Sequence, residues 1–335
     1  MDFLKDVIKE IGDDYATVAN KIDDTERTVD TGSYILNALV SGSVFGGVSG
    51  NKITAIAGET STGKTYFSLA IVKNFLDKHP DGGVMYFDTE SAITKGLLES
   101  RGIDLERVGI INVVTIEQFR NRALTVVDKY LGLEESDRKP MMFVLDSLGM
   151  LSTEKEIKDA LDDKQVRDMT KSQLVKGAFR MLTLKLGQAN VPLIVTNHTY
   201  DVIGAYVPTK EMGGGSGLKY AASTIIYLSK GKEKDGTEVI GNIIKAKTVK
   251  SRLSRENRQV SIRLYYDERG LDRYYGLLDL AEKYGVIKKV ANRYEIDGKK
   301  VYAKEIYKNP EKYFTPELMQ ALDEVSVKEF TYGGE

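Results

Sequence analysis

Residues 53–65 read ITAIAGETSTGKT, and this stretch decides the fold. Its last eight residues, Gly58–Thr65, fit the pattern G-x-x-x-x-G-K-[ST] at every fixed position. The apolar run before them predicts a strand, and Lys64–Lys78 predicts a helix. A strand that leads into such a loop and a helix that begins in it are the context of a phosphate-binding loop. A chance glycine turn is the alternative, and the flanking strand and helix argue against it.

The loop has the chemistry to hold the phosphates of a nucleotide. Gly58 and Gly63 allow the backbone to curl so that successive N–H groups point inward, and the helix N-terminus adds a positive dipole. Lys64 is expected to reach the β- and γ-phosphates, and the Thr65 hydroxyl to bind Mg²⁺. The sequence therefore predicts ATP and Mg²⁺ as cofactors. The residues predicted to surround the nucleotide are Gly58, Glu59, Thr60, Ser61, Thr62, Gly63, Lys64, Thr65 and Tyr66.

Outward from the loop, short apolar runs alternate with helical patterns as far as Gly217. The runs are VMYFD, GIINV, MMFVLD and VPLIV, and helices are predicted near 94–101 and 117–131. Continuously apolar strands separated by helices indicate an α/β fold with a mainly parallel twisted sheet covered on both faces. After Gly217, the runs STIIYLS, VIGNIIKAK and VSIRLYYD predict strands joined by short turns. Residues 277–335 predict a small helical and mixed C-terminal part.

Carboxylates end two of the predicted strands. Asp146 follows the apolar run MMFVL, where a carboxylate would face the nucleotide crevice, so it is the candidate second metal ligand beside Thr65. VMYFDTES places Asp88 and Glu90 at the end of another strand. Hydrolysis needs a group that activates the attacking water. Alternation puts both side chains on one side of the strand, so position alone does not choose between them.

Composition and charge argue against several classes of protein. The 49 acidic residues nearly cancel the 48 basic ones, so DNA binding would require a local patch. Cysteine is absent and there are two histidines, which excludes disulfides and argues against a structural zinc site. No apolar run approaches the ~20 residues of a membrane helix. A soluble cytoplasmic protein without membrane contact is expected, in the host cytoplasm if a phage encodes it.

The N-terminal residues predict an amphipathic helix. Phe3, Leu4, Val7, Ile8 and Ile11 lie on one helical stripe, and residues 1–30 carry nine acids against four bases. An apolar stripe at a chain end requires a cover, which either the body of the protein or another subunit can provide.

The order of motifs resembles that of RecA-family recombinases, and most closely the phage UvsX branch. The similarity spans about residues 30–280 and is carried by GETSTGKT, YFDTESAIT, VLDSLGML and LIVTNHTY. It implies that Glu90 rather than Asp88 activates the water, and that Asp146 binds the metal. It also implies that His198 senses the γ-phosphate, where bacterial members carry glutamine. The implied organisation is an N-terminal oligomerisation segment (1–30), a RecA-like P-loop ATPase core (31–276) and a small C-terminal α+β domain (277–335).

The resemblance also implies two DNA-binding loops, at about 152–170 and 200–217. Aromatic rings can stack on bases without reading their sequence, and backbone N–H groups and lysines can hold phosphates. A plain surface loop is the alternative on composition alone. The residues expected to bind DNA are Tyr200, Tyr206, Lys210, Gly213, Gly214, Gly215, Lys219 and, in the more acidic first loop, Arg167.

A basic run at residues 242–263 has seven bases against one acid. It resembles the family segment whose two cations reach the γ-phosphate of the neighbouring subunit, and the match selects Lys250 and Arg252. Two residues apart on a strand, they share one face. The alternative is a DNA-binding face that also includes Arg255 and Arg258.

The resemblance implies an ATP-dependent strand-exchange recombinase that forms a homo-oligomeric helical filament on single-stranded DNA and pairs it with double-stranded DNA. Mediator and single-strand-binding proteins would be its partners. A hexameric helicase shares this core, but only about 50 residues precede the phosphate loop, which is short for the helical domain such rings carry. A non-catalytic recombination mediator is the third possibility, and Glu90 argues against it.

Overall fold

The structure is a computed structural model, and it describes residues 2–12, 16, 18–19, 28–163, 169–202, 204, 210–296 and 298–334. The described strands are β1 (Thr28–Val29), β2 (Val48–Ser49), β3 (Ile53–Gly58), β4 (Gly83–Asp88), β5 (Val108–Asn112), β6 (Met141–Asp146), β7 (Leu193–Asp201), β8 (Lys210–Met212), β9 (Thr224–Asp235), β10 (Glu238–Ser251), β11 (Gln259–Tyr265), β12 (Lys288–Val290), β13 (Arg293–Ile296) and β14 (Lys299–Tyr302). The described helices are α1 (Asp2–Ile11), α2 (Tyr34–Ser41), α3 (Lys64–Lys78), α4 (Lys95–Ser100), α5 (Ile116–Leu131), α6 (Glu154–Leu161), α7 (Lys171–Gln188), α8 (Ser216–Ala221), α9 (Leu277–Lys283), α10 (Ala303–Lys308), α11 (Pro310–Tyr313) and α12 (Pro316–Phe330).

Within these residues one large sheet runs in the order β11-β10-β9-β3-β7-β6-β4-β5, with β8 added to the end of β7. The strands from β9 to β5 are parallel to one another, while β9, β10 and β11 are antiparallel. The predicted α/β fold with a mainly parallel sheet is confirmed. The strand β3 lies between β7 and β9, away from β4, so the chain changes direction beside it. Ligands of open α/β sheets bind at such a crevice, beyond the carboxyl ends of the strands.

Every residue of β3 is buried, because both faces of the sheet are covered. Alternate side chains of the strand enter different cores: Ile56 packs on the side of Phe67 from α3, and Ala55 on the side of Phe119 from α5 and Phe179 from α7. This alternation holds the end of β3 rigidly between the two helical layers.

Two segments are more ordered than the sequence pattern predicts. Within the region predicted as a first DNA loop, α6 begins at a capping box: the N–H of Glu156 donates to Thr153 Oγ1, and the N–H of Thr153 donates to the Glu156 carboxylate. The spacing S/T-x-x-E is a sequence signal for this start. The strand β7 also continues past VPLIV as far as Asp201, and β8 then pairs with its end.

The C-terminal part contains the three-stranded antiparallel sheet β12-β13-β14 and ends in α12. Leu322 and Phe330 of α12 are buried in the same core as Ile35 of α2. The predicted domain boundaries at residues 30 and 276 remain predictions. None of the helices within the described ranges is long and apolar enough to cross a membrane.

Candidate nucleotide and DNA site

The loop between β3 and α3 is closed by its own backbone geometry. Gly63 has φ of 88° at the start of α3, in the left-handed region that favours glycine, and Ser61 has φ of 61°. The Thr62 hydroxyl donates to the Glu59 carbonyl at 2.8 Å, which ties the loop across its base. The loop therefore lies at the carboxyl end of β3 with the N-terminus of α3 behind it, an arrangement suited to anions.

Lys64 is held inside this loop. Its Nζ donates to the carbonyls of Gly58 at 3.1 Å and Glu59 at 2.9 Å, and the residue is 8% exposed. Burial lowers the pKa of Lys64, while the charges of Asp146 and Glu90 oppose that shift. A buried ammonium group that donates to two neutral carbonyls is placed to gain from an incoming phosphate.

Asp146, at the end of β6, lies at the centre of a hydrogen-bond network. Its Oδ2 accepts from the Thr65 hydroxyl at 2.7 Å and from the Tyr86 hydroxyl at 2.8 Å, and its Oδ1 accepts from the Thr196 hydroxyl. The adjacent carboxylate and hydroxyl oxygens of Asp146 and Thr65 fit Mg²⁺, which prefers oxygen ligands and keeps several waters.

Asp88 and Glu90 have different surroundings. Asp88 is 3% exposed and accepts from the N–H groups of Glu90 at 3.0 Å, Ala92 at 3.4 Å and Ile93 at 3.1 Å. The Glu90 side chain is 41% exposed and accepts from the Ser147 hydroxyl at 2.9 Å. Asp88 therefore stabilises the turn after β4, and Glu90 is the carboxylate that a water molecule can reach.

His198 joins this group from β7, where it pairs in register with Gly58. Its Nε2 lies 3.9 Å from Glu90 Oε1. Burial and the charge of Lys64 lower the pKa of His198, although Glu90 and Asp146 oppose them, so the neutral imidazole is favoured. The site thus contains a cation, two carboxylates and an imidazole at the ends of neighbouring parallel strands.

The glycine-rich segment is tied directly to His198. The Gly213 N–H donates to the His198 carbonyl at 3.0 Å, and Asn197 Nδ2 donates to the Gly213 carbonyl at 2.9 Å. The Asn197 Oδ1 in turn accepts from the His198 N–H at 2.8 Å. The backbone of His198 is therefore bound to the start of the glycine run.

Close packing explains two of the glycines. A Cβ atom on Gly215 would lie 2.3 Å from the Ser172 hydroxyl, and one on Gly217 would lie 2.7 Å from the backbone of Lys176. Both neighbours belong to α7. The glycine run therefore packs against that helix.

The other residues predicted to bind DNA are partly placed. Tyr200 is 59% exposed at the end of β7. Lys210 forms an ion pair with Glu59 of the phosphate loop, and Lys219 lies 3.2 Å from Glu211. The predictions for Tyr206 and Arg167 lie outside the described residues.

In the basic run, Lys250 Nζ donates to the carbonyls of Lys219 at 2.7 Å and Tyr220 at 3.1 Å, at the end of α8. Burial and the nearby charge of Arg252 lower the pKa of Lys250. The Arg252 N–H donates to the Ser223 carbonyl at 3.0 Å. The two cations are thereby connected to the segment that follows the glycine run.

Tyr66, which the sequence assigned to the nucleotide, has a contact of another kind. Its hydroxyl accepts from the Leu271 N–H at 3.0 Å, and the Arg101 guanidinium lies 4.0 Å above its ring. It therefore connects α3 to the turn after β11.

Several residues of the site were missed. Tyr86 and Thr196 bind Asp146, Ser147 binds Glu90, and Asn197 links His198 to the glycine run. A period-two signal was available, because Tyr86 precedes Asp88 by two residues and Thr196 precedes His198 by two.

The fold and the site together define a P-loop nucleotide-hydrolysing protein. The family model of the RecA N-terminal domain matches residues 2–272. The recombination and repair protein of Enterobacteria phage T4 is 33% identical over 274 residues, which are 82% of this chain and 68% of that protein. The RecA protein of Paracoccus denitrificans is 30% identical over 302 residues, 89% of this chain and 78% of that protein. The chain belongs to the RecA family. It is a recombinase of homologous recombination and repair and a DNA-dependent ATPase.

Proposed function

We propose that this recombinase binds ATP, assembles into a helical filament on single-stranded DNA, and pairs that strand with double-stranded DNA. The observation that carries the proposal is the position of His198, whose Nε2 lies 3.9 Å from Glu90 Oε1 and whose carbonyl accepts from the Gly213 N–H, because it links the hydrolytic site to the predicted DNA segment at 200–217. Through this link the state of the γ-phosphate changes the arrangement of the residues that face DNA.

The phosphates of ATP lie in the loop Gly58–Thr65, with the Lys64 ammonium on the β- and γ-phosphates in place of its present carbonyl partners. Thr65 and Asp146 would hold Mg²⁺, which when bound would neutralise phosphate charge. Tyr86 and Thr196 fix the orientation of the Asp146 carboxylate.

Glu90 accepts the proton of the attacking water, and Ser147 orients its carboxylate by a hydrogen bond. His198, neutral at physiological pH, donates a hydrogen bond toward the γ-phosphate. Lys250 and Arg252 complete the site of the adjacent subunit in the filament, where cations supplied in trans stabilise the charge that spreads over the transferred group. Hydrolysis then depends on assembly.

Tyr200 and Tyr206 stack on bases, while Lys210 and Lys219 contact the DNA backbone. The N–H groups of Gly214 and Gly215 add phosphate contacts, whereas that of Gly213 donates to the His198 carbonyl, and Arg167 contributes from the first loop. None of these contacts reads base edges, which suits a protein that accepts any sequence.

The segment 1–30 carries subunit contacts through the exposed stripe of α1, in which Phe3 is 76% and Ile11 62% exposed.

We further propose a core at 31–276 and a C-terminal domain at 277–335. Mediator and single-strand-binding proteins would load the filament, in the cytoplasm of the host if a phage encodes the chain.

Electron microscopy of the protein with single-stranded DNA and a slowly hydrolysed ATP analogue tests the proposal. Helical filaments that form only with nucleotide and DNA are expected. Closed rings would favour a helicase, and the lack of any DNA-bound polymer would favour a non-catalytic mediator.

A further inference from the structure

The turn between β10 and β11, residues 252–258, rests on the C-terminal end of α12. The Arg255 N–H donates to the Phe330 carbonyl at 2.5 Å, and Arg255 Nε donates to the Thr331 carbonyl at 2.5 Å. The Glu256 N–H donates to the Tyr332 hydroxyl at 3.4 Å. The basic run is therefore bound, at its turn, to a helix that lies more than seventy residues later in the chain.

This contact has a clear physical basis. The last carbonyls of a helix have no donor within the helix, and they form the negative end of its dipole. A guanidinium at this position supplies both a donor and a positive charge. Glu329 strengthens the contact, because its carboxylate, 7% exposed, lies 3.7 Å from the Arg258 guanidinium and 2.5 Å from Lys283 Nζ.

The turn is also rigid within itself. The Ser251 N–H donates to the Glu256 carboxylate at 3.2 Å, and the Thr248 hydroxyl donates to the Arg255 carbonyl at 3.0 Å. The Asn257 N–H donates to the Thr248 carbonyl at 2.7 Å. A turn that is closed in this way moves as one body, so whatever holds Arg255 also places the residues on either side of Ser251. Those residues are Lys250 and Arg252.

We propose that the last two residues of α12 and the two residues that follow it, 329–332, position Lys250 and Arg252 for ATP hydrolysis at the neighbouring subunit. The inference rests on the proposed trans role of these two cations. Arg255 is a positioning residue, because it acts through them. The C-terminal part of the chain thereby affects turnover at a site to which it contributes no reacting group.

The first test is the DNA-dependent ATPase of the full-length protein. Arg255→Ala should lower kcat roughly 10- to 100-fold, as expected when catalytic groups are misplaced by about 1 Å. Tyr332→Phe removes one hydroxyl contact without a change of volume and should lower kcat about 2–10-fold. The KM for ATP and the affinity for single-stranded DNA should stay within about twofold, since binding groups are untouched. Arg293→Ala, on β13 of the same C-terminal part, is the matched control and should leave kcat unchanged.

A kcat that stays at the wild-type value in both variants would overturn the inference. So would a fall in DNA affinity that accounts for the lost turnover, because it would mean that the turn binds DNA. Circular dichroism and the thermal unfolding midpoint check that each variant is folded. If Arg255→Ala does not fold, Tyr332→Phe alone tests the inference.

Each subunit interface in the filament has two edges, one with the phosphate loop and one with the cations Lys250 and Arg252. Mixed filaments test whether Arg255 acts on the cation edge. Arg255→Ala subunits keep a sound phosphate loop, while Lys64→Ala subunits keep sound cations. Mixing them in equal amounts should restore about a quarter of wild-type turnover, because random head-to-tail interfaces combine the two sound edges at that frequency. Mixing Arg255→Ala with the double variant Lys250→Ala/Arg252→Ala should restore no turnover. Both variants are defective on the cation edge, so no interface in the mixture has a sound one.

The mixture of Lys64→Ala with Lys250→Ala/Arg252→Ala separates the two hypotheses. If this mixture fails to recover, the trans role itself is wrong. If it recovers while the Arg255→Ala mixture does not, the trans role stands and the positioning role of α12 is wrong.

Discussion

The phosphate loop and the DNA segment meet at the same edge of the sheet, but they are held in different ways. The loop at 58–65 is closed by contacts within a few residues, such as Thr62 to Glu59 and Lys64 to Gly58. In the DNA segment, predicted at 200–217, the described residues Gly215 and Gly217 pack against Ser172 and Lys176 on α7, which lie far along the chain. The conformation of a loop closed by local contacts can be predicted from a sequence motif. The conformation of a segment held by packing against distant residues cannot be predicted in this way.

The difference also matches what each region has to do. The phosphate loop must present fixed N–H groups before its ligand arrives. In the proposed function the DNA segment responds to the nucleotide, and the hydrogen bonds of Gly213 to His198 and Asn197 are the contacts that would carry this response. An ion pair between Glu59 and Lys210 joins the two regions on their exposed side. Substitutions in each region should therefore have separable effects.

The largest effect is expected from Glu90→Gln. The amide keeps the shape of the side chain but cannot accept a proton, so turnover should fall ~10²–10⁴-fold while ATP affinity changes little. Single-turnover hydrolysis and nucleotide binding measure the two quantities separately.

Asp88→Asn is the matched comparison for Glu90→Gln. Asp88 accepts backbone N–H groups of its own turn. This substitution should therefore lower the unfolding midpoint, whereas turnover should fall far less than in Glu90→Gln. The reverse pattern, with hydrolysis lost in Asp88→Asn and kept in Glu90→Gln, would show that the wrong carboxylate was assigned.

Lys64→Ala should weaken ATP binding by about 2–5 kcal/mol, since a desolvated phosphate loses its nearest cation. Isothermal titration with ATP and Mg²⁺ measures the change. Lys73→Ala lies on the same helix with an exposed ion pair to Asp77 and serves as the control, with affinity expected to be unchanged. Equal affinities in the two variants would remove Lys64 from the nucleotide site.

In the DNA segment, Gly217→Ala should destabilise the protein by about 1–3 kcal/mol, because its Cβ would overlap the backbone of α7. Gly177→Ala, on α7 with open space around it, should instead stabilise by about 0.5–1 kcal/mol through helix propensity. Thermal unfolding of the two variants tests the contrast. Equal shifts in the midpoint would mean that Gly217 is not held by α7.

The smallest effect is expected from Tyr200→Ala, which should weaken single-stranded DNA binding by about 1 kcal/mol and up to 3 for a full base stack. Nucleotide binding without DNA should be normal. Tyr302→Ala, an equally exposed tyrosine of the C-terminal part, is the control. A DNA isotherm that is unchanged at several salt concentrations would restore the interpretation of a plain surface loop.

The sequence by itself determined the phosphate loop, the alternation of strands and helices, and the strand end that carries Asp146, whereas His198 was selected by the family resemblance. The first three depend on local pattern: a glycine motif between a strand and a helix, and apolar runs that end in a polar residue. It left Asp88 and Glu90 equivalent by alternation, and it placed a loop where Thr153 starts α6.

Only the tertiary structure showed how the surroundings of the two carboxylates differ, because the N–H groups bound to Asp88 converge on it through the turn after β4. Only the fold placed Tyr86 and Thr196 around Asp146, since these residues come from three different strands. The contact of Arg255 with the end of α12 spans more than seventy residues of chain. No local pattern encodes such a contact, because it exists only once the core has brought α12 onto the sheet.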